Sequence, residues 1–319
     1  MFEEAQDIKD RAFRPSTMAG YSRIQSLYMD VCSAYRISAF PITETSVSVF
    51  IAHLCRQGLK PRTLKGYMAA ILKKNQSLKF TVSPSLQVHI HDILKGAENS
   101  FTEEHGPAPL RDVLTAQQAV ELSQQLVQQC RAQTSSSRVR MLAAVVFGFL
   151  FASRATTIVS ALAGDLCVRG SSLVFLERKR KMKQAQGLRE LCVPVACCLA
   201  SALVEFMHWS RFQGVSAQSS LFGLKGRYHG QVITSALQHV LGQQRVSSHM
   251  LRRGAAVAML AAKVPMPRIL SWGGWATEAS VKPYLHGREF VSVSSHDLAC
   301  FSWMASTEAI SGTVALRNA

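Results

Sequence analysis

The chain has 319 residues, of which 48% are hydrophobic, and its 36 Lys and Arg outnumber 20 Asp and Glu to give a formal charge of +16. This length allows about two domains with buried cores, and the apolar content is typical of a globular protein. The positive charge predicts a polyanionic partner, although many proteins that bind no nucleic acid are also basic.

Local patterns argue against three classes of protein. The first residues, MFEEAQDIKD, lack the basic and then apolar pattern of a secretory signal, which predicts an intracellular protein. Met141 to Ser153 is apolar but too short for a membrane span, and Arg140 and Arg154 flank it, so we expect a buried helix and no membrane association. The eight cysteines show neither a C-x-x-C pair nor a His at ligand spacing. They are expected to be buried in a reducing compartment, and we expect neither a metal nor a cofactor.

The first hundred residues predict a small all-helical domain. Pro15 to Thr17 opens the first helix, Thr43 or Thr45 caps the second, and Pro61 begins the third. Apolar residues recur at helical spacing in each of these three. A fourth helix is expected from about Ser85 to Lys95.

Basic residues surround the third predicted helix, and the sequence leaves two interpretations open. Lysines beside Gly66 and Tyr67 could follow a DNA phosphate backbone. Alternatively, the helix could be the solvated face of an ordinary bundle. The candidate DNA-contacting residues are Lys60, Arg62, Lys65, Lys73 and Lys74.

A linker is predicted between this domain and the rest of the chain. Ala97 to Pro109 lacks helical periodicity and contains Gly, two prolines and three acidic residues. We therefore predict a helical DNA-binding domain with its linker at residues 1–108 and a larger domain at residues 109–319.

The larger domain is predicted to be mostly α-helical with a small β-hairpin. Thr115 caps a helix to about Gln129, and the apolar helix follows from about Ser137. Leu173–Arg178 and Leu191–Val195 are strand-like runs separated by a basic turn. The run from Arg178 to Lys183 has two ordinary interpretations, a solvated loop or a nuclear-localisation patch.

Three further helices are expected, at Val195–Phe212, Thr234–Leu241 and Val291–Ile310, the last with the apolar pattern of a core helix. The loop from Gly214 to Gly230 is rich in glycine. It lacks the Gly-Lys-Ser/Thr ending and the preceding strand of a phosphate-binding loop, so we exclude that assignment.

The segment from Ser248 to Tyr284 carries the strongest chemical signal. His249 and Arg252 are three residues apart, so both leave the same face of one helix, at the N-terminal end that favours anions. A short apolar stretch leads to Gly273-Gly274-Trp275, and Tyr284 follows. A phenol, an imidazole and a guanidinium on a basic chain indicate covalent chemistry on phosphate.

The order Arg154, His-x-x-Arg, Gly-Gly-Trp and Tyr resembles the tyrosine recombinase (phage integrase) family, and the Gly-Gly-Trp variant is most similar to Cre. The resemblance implies a two-domain, C-shaped clamp around double-stranded DNA. It implies a site-specific recombinase or integrase of the kind that mobile elements encode, acting through a 3′-phosphotyrosyl intermediate without metal or ATP. It also implies a homotetramer joined through the C-terminal helix, in a eukaryotic nucleus or in the cytoplasm and nucleoid of a bacterium or phage host.

The resemblance also implies roles for individual residues. Tyr284 would attack phosphorus, Arg154 and Arg252 would bind the phosphate oxygens, and His249 would act as base. Trp275 would donate a hydrogen bond to an oxygen. A lysine of the hairpin, Lys181 or next Lys179, would protonate the leaving oxygen. Lys179 and Arg180 are also expected to contact DNA, so the expected site residues are Arg154, Lys181, His249, Arg252, Trp275 and Tyr284.

Some positions leave the assignment open. Thr157 stands where the family usually has a Glu or Asp, and a hydroxyl cannot buttress the arginines with charge, so we expect weaker activity or another acid. Arg253 competes with Arg252, but the His-x-x-Arg spacing selects Arg252. Arg154 alone could equally be a cation stabilising a helix C-terminus. A type IB topoisomerase-like enzyme and a DNA-binding protein without turnover remain as alternatives.

Overall fold

The computed structural model describes residues 15–106, 112–134, 136–178, 188–285, 295–305 and 316–317. The chain forms two compact units, Met1–Pro109 and Leu110–Ala319. Helices dominate both units and one small sheet lies in the second, which confirms the predicted mostly helical class.

The N-terminal unit is built from helices whose first turns follow the predicted caps. Thr43 forms a capping box with Ser46, and the caps before the third and fourth helices are each followed by a proline at the first helical position. Tyr28 and Phe50 meet edge to face, with ring centres 5.1 Å apart, at the centre of the core. The helices are α1 (Pro15–Ala34), α2 (Glu44–Arg56), α3 (Pro61–Ser77) and α4 (Pro84–His105).

The predicted linker is wrong over most of its length, because α4 continues to His105. Ala97 packs against the core, and the Glu98 carboxylate accepts a hydrogen bond from Lys65 of α3 at 3.0 Å. These contacts hold the end of α4 against the bundle, which local periodicity does not reveal. Gly106 ends the helix with φ +71°, a conformation that glycine adopts without strain. Residues 107–109 lie outside the described part of the chain.

The second unit surrounds a helix that is buried on all sides. This helix, α6, is the apolar segment of the sequence, and it is buried from Leu142 to Leu150 as predicted. No helix in the described residues combines the length and the hydropathy needed to cross a membrane. The helices are α5 (Ala116–Arg131), α6 (Ser136–Leu150), α7 (Ala155–Ser160), α8 (Cys198–Phe212), α9 (His229–Leu241), α10 (His249–Ala261), α11 (Met266–Gly273), α12 (Glu278–Leu285) and α13 (Ser295–Phe301).

An antiparallel sheet packs against α6. The predicted hairpin is present, with Phe175 paired to Leu191, and the Phe175 ring meets Phe147 of α6 at 4.7 Å. One strand before the hairpin and one short strand near the C-terminus were not expected, so the sheet is larger than predicted. Its strands, in spatial order, are β1 (Leu166–Arg169), β2 (Ser172–Glu177), β3 (Leu188–Pro194) and β4 (Leu316–Arg317).

The last described helix, α13, belongs to the core of its own unit. Phe301 is fully buried and its ring lies 5.8 Å from that of Phe149. Of the predicted helix Val291–Ile310, the described part is helical over Ser295–Phe301 and then forms a single 3-10 turn, Ser302–Met304. Residues 291–294 and 306–310 lie outside the described residues. Docking into a neighbouring protomer, which the resemblance implies, would therefore need other residues than this buried face.

The cysteines are less uniformly buried than expected. All eight are free thiols, but Cys55 is exposed, and Cys167, Cys192 and Cys198 are only half-buried. Cys55 lies on the outer face of α2, next to Arg56 at its C-terminal end, where no core residue covers it.

Candidate active site

The C-terminal end of α6 organises the site. A helix leaves its last carbonyl groups without partners inside the helix, and here two side chains supply them. The Trp272 indole N–H donates to Leu150 O at 2.9 Å, and Arg252 Nη1 donates to Ala152 O at 2.6 Å. The guanidinium thus lies at the negative end of the helix dipole, which favours a cation.

Arg252, Trp275 and Tyr284 follow one another in space. The Arg252 guanidinium carbon is 4.1 Å from the centre of the Trp275 ring, within cation–π distance. The Tyr284 ring follows, 6.0 Å from Trp275 and inclined at 59°. Arg252 is only 3% exposed, whereas Tyr284 is half-buried and so remains accessible.

The two glycines before Trp275 are required for its position. A Cβ on Gly273 would collide with the six-membered ring of Trp275. Gly274 has φ +63°, and a Cβ there would meet Arg189 Nη1 at 2.8 Å. The Gly-Gly-Trp motif therefore lets the indole fold back over the end of α11.

Arg154 is the N-cap residue of α7 and reaches the same cluster. Its Nη2 donates to Gly274 O at 3.5 Å, a long hydrogen bond that leaves most of its donors available. Burial, and next the charge of Arg154, lower the pKa of Arg252 to about 9. Tyr284 and Glu177 act in the opposite direction, and Arg189 adds a smaller lowering. The cluster therefore holds positive charge at a cost that an anion would reduce.

Two buried donors in this cluster have no hydrogen-bond partner among the described residues. They are Arg252 Nη2 and Trp275 Nε1. Buried polar hydrogens without acceptors are uncommon and costly in folded proteins. A tetrahedral anion carries several acceptor oxygens, so its chemistry matches a cluster of N–H donors of this kind.

A buried carboxylate lies behind the arginines, and it is not among the site residues expected from the sequence. Glu177 Oε1 accepts from the Thr157 hydroxyl at 3.3 Å, and Oε2 accepts from Arg189 Nη1 at 3.2 Å. Glu177 and Arg189 face each other across the hairpin. The sequence contained a signal for this burial. Side chains alternate between the two faces of a strand, and Glu177 lies two residues after Phe175 and four after Leu173, so it is expected on the same buried face.

The remaining expected site residues have different outcomes. His249 is exposed and begins α10, one turn before Arg252 on the same face. Arg253 is buried, and its Nε and Nη2 donate to Asp112 O at 3.1 and 2.8 Å. It therefore anchors the start of the unit, and the choice of Arg252 as the site residue stays a prediction. Lys179, Arg180 and Lys181 lie outside the described residues.

The basic helix of the N-terminal unit has a distinct outer face. Leu64, Met68 and Ile71 of α3 are buried, while Arg62 and Lys65 point to solvent on the other side. Lys60, before the helix, is also exposed, and Lys73 and Lys74 are half-buried. The candidate DNA contacts are thus arranged on and beside one exposed helix surface.

Comparison with known proteins gives likeness in structure alone. No family model and no curated protein matches the sequence. The XerH site-specific recombinase, in a post-cleavage complex with its palindromic difH substrate, is similar at TM-score 0.55 and 16% identity, over 83% of this chain and 75% of that one. The Tn1549 transposon integrase, in complex with circular intermediate DNA, has TM-score 0.55 and 13% identity over 88% and 92%. A lambda integrase dimer bound to a COC′ core site has TM-score 0.52 and 12% identity over 92% and 78%.

Proposed function

We propose that this chain, which has the fold of the tyrosine recombinases, is a site-specific DNA recombinase or integrase. The observation that carries the proposal is the pair of buried donors, Arg252 Nη2 and Trp275 Nε1, without partners among the described residues and beside the Tyr284 phenol. The likeness to solved structures supports the fold, and the chemistry of this cluster supports the activity. The closer likeness of the Gly-Gly-Trp segment to Cre stays a prediction.

In the proposed reaction, the Tyr284 oxygen attacks the phosphorus of one DNA strand. The bond to the 5′ oxygen of the next nucleotide breaks, and a 3′-phosphotyrosyl bond forms in its place. The phenol gives up a proton, for which His249 is our proposed acceptor. The leaving oxygen takes a proton, for which Lys181, or next Lys179, is our proposed donor. Because one phosphoester replaces another, a 5′ hydroxyl of a second strand can reverse the step without ATP.

The arginine cluster would lower the barrier electrostatically. In the transition state, negative charge spreads over the non-bridging oxygens of the phosphate. Arg154 and Arg252 would bind these oxygens, and the Trp275 N–H would add a neutral donor. Arg252 is already held by its hydrogen bond to the end of α6, and the bond from Trp272 to Leu150 O ties α11 to the same place. Donors that are oriented before the reaction need little reorganisation in the transition state.

The N-terminal unit would bind the DNA backbone through α3. Its exposed cations suit phosphate contacts, which carry affinity without sequence information. We extend the proposal to a clamp that closes on duplex DNA and to a tetramer on paired sites, as the resemblance implies. Double-stranded DNA is therefore the proposed partner.

The proposal is tested by covalent capture on nicked duplexes. The nick lets the short 3′ fragment diffuse away after cleavage, so an adduct accumulates. A pool of nicked random duplexes is used because the target sequence is unknown. The wild type should yield a protein–DNA adduct that survives SDS, and Tyr284→Phe should yield none. The matched control is Tyr228→Phe, which removes the hydroxyl of an exposed tyrosine outside the site and should leave the yield unchanged.

Three other outcomes would overturn the proposal. Tight DNA binding without an adduct would indicate a DNA-binding protein that has lost turnover. An adduct that persists in Tyr284→Phe would place the nucleophile elsewhere. Relaxation of supercoiled DNA by the monomer, without joining of two sites, would indicate a topoisomerase-like enzyme.

A further inference from the structure

We propose that Glu177 is a positioning residue that supplies, from strand β2, the negative charge which position 157 of this chain lacks. This inference rests on the proposed function and adds a residue to its machinery. Thr157 then has a defined task, which is to orient the carboxylate that replaces it. Glu177 needs no contact with DNA for this role.

The carboxylate is held from two sides. The Thr157 hydroxyl donates to one oxygen at 3.3 Å, and Arg189 Nη1 donates to the other at 3.2 Å. Glu177 is 8% exposed and Arg189 is 4% exposed, so water screens this pair weakly. Two oriented donors on a buried carboxylate hold it in a single position.

Thr157 lies one turn after Arg154, on the short helix α7. A carboxylate on that turn would lie next to the arginines directly. Here the hydroxyl cannot carry charge, but it reaches the Glu177 oxygen across the gap between α7 and β2. The negative charge is therefore still present, but it lies on Glu177, one hydrogen bond away from position 157.

Glu177 acts on the site through two routes. The first is electrostatic: burial and Arg154 lower the pKa of Arg252, and Glu177 is among the groups that oppose this effect. The second is mechanical and passes through Arg189. Arg189 Nη2 donates to the Trp272 carbonyl oxygen at the end of α11, and Nη1 lies against Gly274. Arg189 therefore fixes the turn that carries Trp275.

Removing the charge should affect catalysis more than DNA affinity. Glu177→Gln keeps the size of the side chain but removes the counter-charge of Arg189 and Arg252. We expect adduct formation to slow by about 10- to 100-fold, since small displacements of catalytic groups cost this much. The dissociation constant for duplex DNA should change by less than about three-fold, because α3 and the exposed cations supply most of the affinity.

The decisive variant moves the carboxylate back to α7. Thr157→Asp combined with Glu177→Gln restores one negative charge behind the arginines, with the amide able to donate to the new carboxylate. This double variant should recover at least half of the lost rate, on a logarithmic scale. Glu190→Gln is the matched control: it removes a carboxylate from the same sheet, where Glu190 pairs with Arg169 at 3.0 Å, and should leave the rate unchanged.

The experiment measures single-turnover adduct formation, duplex affinity and melting temperature for all four proteins. A rate for Glu177→Gln equal to that of the wild type would overturn the proposal. A second outcome would also overturn it: Glu177→Gln is slow, and the double variant regains the melting temperature but not the rate. A negative charge at position 157 would then not replace what Glu177 supplies.

Failure of the proposed function gives a different pattern. If the wild type forms no adduct on any duplex, the recombinase assignment fails, and inorganic phosphate becomes the probe of the cluster. Melting temperatures are then compared with and without phosphate. Glu177→Gln should destabilise the protein more than Glu190→Gln does, and phosphate should restore part of the difference by replacing the lost charge. Equal effects of the two substitutions would overturn the role of Glu177.

Discussion

The guanidinium of Arg252 lies 4.1 Å from the centre of the Trp275 ring, so one face of a buried cation is covered by an aromatic ring. The indole therefore serves Arg252 through its π-face, while its N–H, which has no partner among the described residues, remains for a ligand. Many tyrosine recombinases have a histidine at this position, and a histidine could also transfer a proton. Here the residue can only stabilise and donate.

The two roles of Trp275 can be separated by Trp275→Phe. Phenylalanine retains a π-face for Arg252 but removes the N–H donor. We expect the rate of adduct formation to fall by about 10²-fold, the cost of one transition-state donor. DNA affinity should stay close to that of the wild type. The measurement is single-turnover adduct formation on the nicked duplex.

Trp209→Phe is the matched control. The Trp209 N–H is also buried without a partner among the described residues, but it lies on α8 beside Phe206. The adduct rate of this variant should equal that of the wild type. A Trp275→Phe rate within about two-fold of the wild type would show that the N–H contributes little to the transition state.

Gly273→Ala should disable the site by displacing Trp275. The added methyl group collides with the indole ring, and the ring belongs to the core, so it has no free space to enter. We expect destabilisation of about 1–3 kcal/mol, as for other overpacked positions. The rate of adduct formation should fall by more than the decrease in the fraction of folded protein accounts for. Thermal melting and adduct capture measure the two effects.

Gly20→Ala serves as the control for the glycine change. A Cβ on Gly20, within α1, meets nothing within 4 Å. The substitution should stabilise the helix by about 0.5–1 kcal/mol and leave the chemistry intact. Wild-type activity in Gly273→Ala would contradict the close packing of the Gly-Gly-Trp turn.

Phosphate should stabilise the folded protein in a way that depends on Arg252 and on pH. Burial lowers the pKa of Arg252 to about 9, below its value in the unfolded chain. Its charge therefore opposes folding in full below pH 9, and the opposition fades as the pH rises from 9 towards the pKa of the unfolded chain. A bound anion offsets the cost while the group is charged. Phosphate at about 100 times its dissociation constant would add about 2.7 kcal/mol.

The rise in melting temperature should therefore be full near pH 8 and shrink above pH 9. Melting curves with phosphate and with chloride at equal ionic strength measure it. Arg252→Met should abolish the rise, while Arg211→Met, at an exposed position of α8, should retain it. An equal rise in Arg252→Met would move the anion site away from this cluster.

Glu98→Gln should tighten DNA binding. Glu98 accepts a hydrogen bond from Lys65 at 3.0 Å, and Lys65 holds the pKa of the carboxyl below its usual value, so the carboxylate competes with phosphate for this lysine. Without it, Lys65 is available for one more phosphate contact. The log–log slope of affinity against salt should steepen by up to about 0.9. Fluorescence anisotropy at several salt concentrations measures it.

Glu103→Gln controls for the change in net charge, because Glu103 is exposed on the same helix. It should leave the salt slope unchanged. Equal slopes for wild type and Glu98→Gln would remove Lys65 from the proposed DNA contacts.

The amino-acid sequence by itself determined the elements whose signals are local. Thr43 and Thr115 accept hydrogen bonds from the first turns of their helices, and a cap depends only on residues three positions away. The continuous apolar run of α6 required burial on every side. The order and spacing of Arg154, Arg252, Trp275 and Tyr284 carried a resemblance strong enough to nominate these residues for one site.

Tertiary structure decided what depends on contacts between distant segments. Local pattern ended α4 at about Lys95, but contacts with α3 carry it to His105. Glu177 lies between Arg189 and Thr157 because the hairpin register sets it opposite Arg189 and because α7 brings the Thr157 hydroxyl to it. Neither distance follows from spacing along the chain, since the basic segment of the sequence lies between Glu177 and Arg189 and strand β1 lies between Thr157 and Glu177. The sequence shows which residues are charged, whereas the fold determines which residues lie close enough to pair with them.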